Sequence, residues 1–188
     1  MRQWISRDSD TGSEAKMHKT SQELFREYAL EYFQEDMAVL EIGPERKDSS
    51  KLSDMLPDEV DYFFGDLYNF TDVDPLKQIR VASPYAIDAI PESFDIVFSA
   101  NVIEHIERPW IWTKELNRIM KPGGIVIILC PIDIKQHGCV ERGEVDCFRV
   151  LPDGMRILLQ DGDFEPLFTA AEKFGDSFTD CIGIGRKR

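Results

Sequence analysis

Two histidines, His105 and His137, carry the side chains of this chain best suited to moving a proton. An imidazole titrates close to neutrality and can take a proton from an oxygen or amine nucleophile as that group reacts. His105 follows Glu104 within a short run, Asn101 to Ile106, that leaves an apolar segment at helical spacing. A structural or substrate-lining role for His105 competes with catalysis. His137 lies in a polar connection, Pro131 to Val150, that also holds Asp146 and Arg149. The Arg149 guanidinium suits a substrate carboxylate or phosphate. An internal bridge to Asp146, Glu144 or Asp153 is the other reading, and so acidic a chain favours it slightly. Trp110 is a candidate for lining the substrate pocket, although simple packing beside Trp112 also accounts for it.

These groups need a scaffold, and the apolar pattern describes one. Phe94–Ser99 and Ile125–Cys130 are short runs rich in Ile, Val and Phe, as buried parallel strands are. Between them, Pro109 opens a helix whose apolar face is Trp112, Leu116, Ile119 and Met120, and Pro122-Gly123-Gly124 stops it. The result is a βαβ unit. Upstream, Met37–Ile42 reads as a first strand running into Gly43-Pro44, Asp61–Phe64 as a second ending at Gly65-Asp66, and Ile79–Val81 as a third. Asp66 follows Gly43 by 66 − 43 = 23 positions, near the ~20-residue spacing at which a carboxylate meets ribose hydroxyls in Rossmann-like sheets. A strand-end turn would also explain an Asp there.

Other signals frame the scaffold. Thr20-Ser21-Gln22-Glu23 has the form of a capping box before a helix running to about Gln34, with Leu24, Phe25, Tyr28 and Tyr32 on one side. Ser49 or Ser50 can cap a short helix bearing Leu52, Met55 and Leu56. Pro152 opens another helix that turns Met155, Leu158 and Leu159 inward. Phe164–Phe174 and Thr179–Gly185 read as a closing antiparallel hairpin. Residues 1–19 read as a flexible leader or a lid over the substrate, and Arg186-Lys187-Arg188 as a solubilising tail.

Several of these residues together resemble a known family. The sequence Phe94-Asp95, Val97, Glu104-His105, Glu115-Leu116, Arg118, Lys121-Pro122-Gly123-Gly124 and Pro131 resembles the fourth and fifth strands of the class I S-adenosylmethionine-dependent methyltransferases. Asp146, Phe148-Arg149, Gly154 and Leu158-Leu159 resemble a later block of the small-molecule type 11 branch. Val39-Leu40-Glu41-Ile42-Gly43 matches the opening of that family's cofactor loop, but Glu45-Arg46-Lys47 stand where its further glycines belong. The resemblance implies a single α/β domain over residues 1–188, a Rossmann-like sheet of seven mostly parallel strands flanked by helices, with an antiparallel last strand. It implies S-adenosylmethionine as cofactor. The cofactor-binding set it implies is Glu41, Gly43 and Pro44 around the methionine end, Asp66 and Leu67 at the ribose, Ile87 and Asp88 at the adenine, and Asn101 near the methionine. Asn is also a good helix N-cap, and Asn101 can serve both roles. A non-catalytic subunit that keeps the fold and partners an active enzyme is the rival reading. Ubiquinone-pathway and small-RNA methyltransferases with a similar Glu-His pair bind metal, and Glu104, His105 and His137 could imitate their ligands. Asn101 replaces the first Glu of that set, so the expectation is no metal.

Composition narrows the acceptor. Net charge is −13, and such a surface repels polyanions, which argues against a nucleic-acid substrate; the small-molecule acceptor is what the type 11 resemblance implies. No apolar run approaches the ~18 residues that cross a bilayer. The four cysteines have no metal-site or disulfide-frame spacing. They read as reduced thiols of a cytoplasmic protein, with the choice between monomer and homodimer left open.

Overall fold

The computed structural model describes residues 19–44, 52–67, 74–138 and 145–188. The leader-or-lid segment (all but Lys19), the Glu45-Arg46-Lys47 stretch, the Ser49 and Ser50 caps, and Cys139 lie outside the described residues.

Strands and helices follow the apolar pattern closely. The strands are β1 Ala38–Ile42, β2 Asp61–Asp66, β3 Gln78–Ser83, β4 Ala86–Ile87, β5 Phe94–Ala100, β6 Met120–Pro131, β7 Phe164–Lys173 and β8 Thr179–Lys187. The helices are α1 Lys19–Tyr28, α2 Pro109–Ile119 and α3 Pro152–Asp161, and one-turn 3-10 helices lie at Leu30–Tyr32, Leu52–Met55 and Ile103–His105. Among the described residues these strands join one sheet in the order β4-β3-β2-β1-β5-β6-β8-β7. From β3 to β6 the pairing is parallel. β8 is antiparallel to both β6 and β7. The expected seven strands are therefore present, with the antiparallel hairpin at the end.

The eighth strand is the difference. After β3 the Pro84-Tyr85 turn reverses the chain, and Ile87 pairs antiparallel with Val81. The Tyr85 amide donates to the Ser83 hydroxyl at 3.2 Å inside this turn.

Both faces of the sheet are covered, as buried parallel strands require. Alternate residues sort cleanly. Val39, Ile96, Phe98, Ile127 and Leu129 face Leu24 and Phe25 of α1. Leu40, Val97, Val126, Ile128 and Cys130 face Trp112, Leu116 and Ile119 of α2 and Met155 and Leu159 of α3.

Two expectations need correction. Thr20 and Ser21 are fully buried inside α1 and make tertiary contacts instead of a capping box. The Phe174 amide donates to Thr20 Oγ1 at 3.2 Å, and Ser21 Oγ donates to Asp180 Oδ2 at 2.7 Å, while Glu23 pairs with Arg26. The basic C-terminal run is not a free tail either. Arg186 and Lys187 belong to β8, and Lys187 Nζ donates to the carbonyls of Asn117 and Met120 at 2.9 and 2.8 Å.

Candidate functional site

The order of the strands places a crevice. The chain builds outward from β1 through β2 and β3, then returns to lay β5 on the other side of β1. Open α/β sheets bind ligands at such a reversal, beyond the carboxyl ends of the strands. Ile42 stands level with Gly65 on one side and Ser99 on the other. The residues just beyond, Gly43, Asp66 and Asn101, therefore end adjacent strands around one opening.

Gly43 is fixed there by sterics. Its φ is +72°, and a Cβ at this position would lie 2.4 Å from Val102 Cγ2. Its amide donates to Gly65 O at 2.8 Å, which closes the end of β1 onto β2. Asn101 also takes a left-handed conformation, φ 56°, which Asn tolerates better than most residues. Its amide stays on the sheet, donating to Leu129 O at 3.0 Å. The following 3-10 turn takes Val102, not Asn101, as its N-cap, so the N-cap reading of Asn101 is set aside. Leu67 is exposed directly after β2, and Pro44 is half-buried directly after Gly43. Glu41 lies beneath the opening, buried, and accepts a 2.5 Å hydrogen bond from the Tyr62 hydroxyl. Burial, with the Glu41 charge beside it, raises the Tyr62 pKa far above the ordinary phenol value.

Two adenine candidates are displaced. Ile87 is buried in the core, and its backbone is already used: its amide donates to Glu115 Oε1 and its carbonyl accepts from Arg118 Nη2, both at 2.8 Å. Asp88 is exposed on the outer edge, its amide donating to Arg80 O at 2.9 Å, because β4 runs back from the carboxyl ends. The reversal after β3 was not visible in the sequence. It leaves Ser83 as the last residue of β3, paired with Ala86.

Beyond β5 and β6 the structure brings Glu104, His105 and His137 together. One potential ligand atom from each lies within 4.8 Å of the others, and the two imidazoles meet edge to face at 4.9 Å. His105 Nδ1 is 2.6 Å from Val145 O. His137 Nδ1 lies 3.3 Å from Lys135 O and 3.3 Å from Asp146 Oδ2, and its amide donates to Asp146 Oδ2 at 2.7 Å. The Glu104 carbonyl accepts from the amides of Cys147 and Phe148, which fastens the connection down over the cluster. Glu104 itself is fully buried, and neither carboxylate oxygen has a hydrogen-bond partner among the described residues. Burial pushes its pKa up to about 8, against the opposing pull of its own backbone amide and of Arg149. Burial also lowers His137, and His105 nearby adds to that.

Arg149 makes the internal bridge to Asp146, the favoured of its two readings. Its Nη1 and Nη2 grip Asp146 at 2.6 and 2.8 Å, and its remaining donors go to the carbonyls of Ile134, Lys135 and Phe148. Burial alone would raise Asp146, but this fork and the His137 amide hold it at about 2. Of the two tryptophans, Trp112 is in the core at 1% exposure while Trp110 stands 45% exposed at the start of α2. Packing therefore accounts for Trp112 only. Cys130, Cys147 and Cys181 are free thiols. A depression lined by Phe33, Gln34, Glu35, Asp36 and Pro57 lies before β1, at the amino ends of the strands and away from the crevice.

Comparison with known proteins agrees with this geometry. Residues 60–128 match the profile of the methyltransferase domain family. An uncharacterised methyltransferase of Mycobacterium tuberculosis is 39% identical over 62 residues, which is 33% of this chain and 24% of that protein. The chain thus spans about a quarter of the length of the curated relatives it matches. Among solved structures, a methyltransferase of Haloferax volcanii in complex with the Trm112 methyltransferase activator superposes with a TM-score of 0.66 at 14% identity, over 89% of this chain and 88% of that one. A Burkholderia thailandensis 1,6-didemethyltoxoflavin-N1-methyltransferase, with that compound and S-adenosylhomocysteine bound, gives 0.63 at 16% identity, over 93% and 79%. The chain thus shares the fold of these methyltransferases, and its residues 60–128, which carry most of the central βαβ unit, are similar to the methyltransferase domain family.

Proposed function

We propose that this chain transfers a methyl group from S-adenosylmethionine to a small-molecule acceptor held between the crevice and the Glu104–His105–His137 cluster. The observation that carries the reading is the convergence of Gly43, Asp66 and Asn101 on the ends of three adjacent strands at the reversal of strand order. Asp66, half-buried at the end of β2, is positioned to accept from both ribose hydroxyls. Gly43 and Asn101 would flank the methionine portion, with Glu41 supporting the strand end from below. When bound, S-adenosylmethionine supplies a methyl on a sulfonium, whose displacement leaves a neutral thioether. The chain's own contribution is alignment, and good orientation supplies up to about 7–11 kcal/mol of barrier reduction. With Nδ1 beside a carbonyl oxygen, each imidazole presents Nε2 as the nitrogen able to receive the acceptor's proton. A net charge of −13 supports a small acceptor over a polyanion, and the Burkholderia neighbour acts on a small heterocycle.

Calorimetric titration with S-adenosylmethionine, S-adenosylhomocysteine and NAD tests the reading. Saturable binding of the first two, weakened about tenfold or more by Asp66→Ala for the lost ribose contact, is the expected result. No heat at millimolar S-adenosylmethionine would overturn it. That result would favour the non-catalytic subunit suggested by Glu45-Arg46-Lys47 in the first loop.

A further inference from the structure

We infer that Glu104, His105 and His137 form a binding site for a divalent first-row metal ion. Three observations converge. The ligand atoms lie within 4.8 Å of one another. Ligands about 2.1 Å from a common ion stand no more than about 4.2 Å apart, so modest side-chain rotations close the site. The Glu104 carboxylate is fully buried with both oxygens unpartnered among the described residues, and a buried carboxylate without hydrogen-bond donors is strongly disfavoured. The contact with His105 does not supply one, because Nε2 is 3.8 Å from Glu104 Oε1, beyond hydrogen-bond range.

The third observation concerns the other face of each imidazole. His105 Nδ1 is held by Val145 O. His137 Nδ1 is within reach of Lys135 O and of Asp146, whose own position is fixed by the Arg149 fork. Acceptors on Nδ1 select the tautomer with its lone pair on Nε2. This is how metal-ligating histidines are oriented. One carboxylate and two imidazoles suit a borderline ion such as Zn²⁺, Mn²⁺, Fe²⁺ or Co²⁺ better than Mg²⁺ or Ca²⁺. The set comes from two segments that meet only in the fold, the turn after β5 and the connection after β6.

Three protein ligands leave positions open for water or an acceptor oxygen. The ion's use there rests on the methyl-transfer reading: it would lower the pKa of an acceptor hydroxyl, whose proton passes to solvent. The O–CH3 bond then forms as the S–CH3 bond breaks, and the sulfur keeps the bonding pair. On this account the imidazoles hold the ion in place of receiving the acceptor's proton, and the acceptor is an oxygen ligand.

The site is tested without cofactor, so that its failure is distinct from failure of methyl transfer. The full chain, stripped with chelator and desalted, is titrated with Zn²⁺, Mn²⁺ and Co²⁺ by calorimetry, with the Co²⁺ complex followed by its visible spectrum. The expected result is one ion per chain, with binding weakened about 100-fold or more by His137→Ala and by Glu104→Gln while far-UV circular dichroism is unchanged. His137 is partly exposed on a connection, so its variant probes the site with little risk to folding. Absence of saturable binding by folded protein at millimolar ion would overturn the inference. So would parent-like affinity in His137→Ala, or a thiolate charge-transfer band placing Co²⁺ on a cysteine.

Discussion

At the scale of single residues, Gly43 answers two demands at once. Its positive φ disfavours any side chain, and the approach of Val102 leaves no room for one. Gly43→Ala is therefore expected to cost about 2–4 kcal/mol, from left-handed strain and overpacking together. Urea denaturation would measure the loss, and cofactor affinity should fall with it because Val102 begins the turn that follows Asn101. Gly43 and Asp66 were legible in the sequence because they terminate strands whose apolar runs are unambiguous. Ile87 and Asp88 were not, since their placement depends on a reversal after Ser83 that only pairing with β3 reveals. Arg149 was legible as an ion-pair former. The orphaned carboxylate of Glu104 was not, because its burial depends on Cys147 and Phe148, more than forty residues later, folding down over it.

At the scale of elements, the edge of the sheet is held by a side-chain clamp. Glu115 and Arg118, one turn apart on α2, pair at 2.8 Å and together bind both backbone groups of Ile87 and the carbonyl of Ala89. Partial burial pulls the Glu115 pKa upward, but the hydrogen bonds from Arg118 and Ile87 outweigh it and hold the group below its ordinary value. A depressed folded-state pKa means the carboxylate stabilises the protein above the ordinary carboxylate range. That contribution is lost as the pH falls through the range and then through the folded-state pKa. Glu115→Gln is expected to cost about 1.5–3 kcal/mol at neutral pH, the scale of charged hydrogen bonds. The difference from the parent should shrink as the pH drops below about 4. Unfolding curves at several pH values would show a flat difference if the clamp were idle. The element pattern itself was readable around α2 because Pro109 and Pro122-Gly123-Gly124 punctuate it. The Thr20-Ser21 motif misled, because hydroxyls that cap a helix serve equally well as buried tertiary donors and acceptors.

At the scale of the whole molecule, the first described helix is tied to the final hairpin. Ser21 meets Asp180, and the Tyr28 hydroxyl donates to Glu172 at 2.6 Å while its ring stacks on Phe168 at 4.6 Å. Ser21→Ala removes a donor from a fully buried carboxylate and should destabilise by about 1–3 kcal/mol. A melting scan would register that loss as a lower midpoint, and an unchanged midpoint would show that the tie is energetically silent. The two hydrogen bonds join positions more than 140 residues apart, so no local pattern could announce them.

The insertion of β8 between β6 and β7 has a consequence for the newborn chain. β6 carries the apolar run Ile125–Cys130, and one of its edges finds a partner only when Thr179–Lys187 has arrived, some fifty residues later. During vectorial synthesis the nascent domain therefore presents an open, adhesive margin in its middle, of the kind that recruits stray strands. Translation pauses or premature stops within residues 131–179 should yield the species most dependent on chaperones. The hairpin works as a late latch, converting a sticky half-sheet into a sealed one.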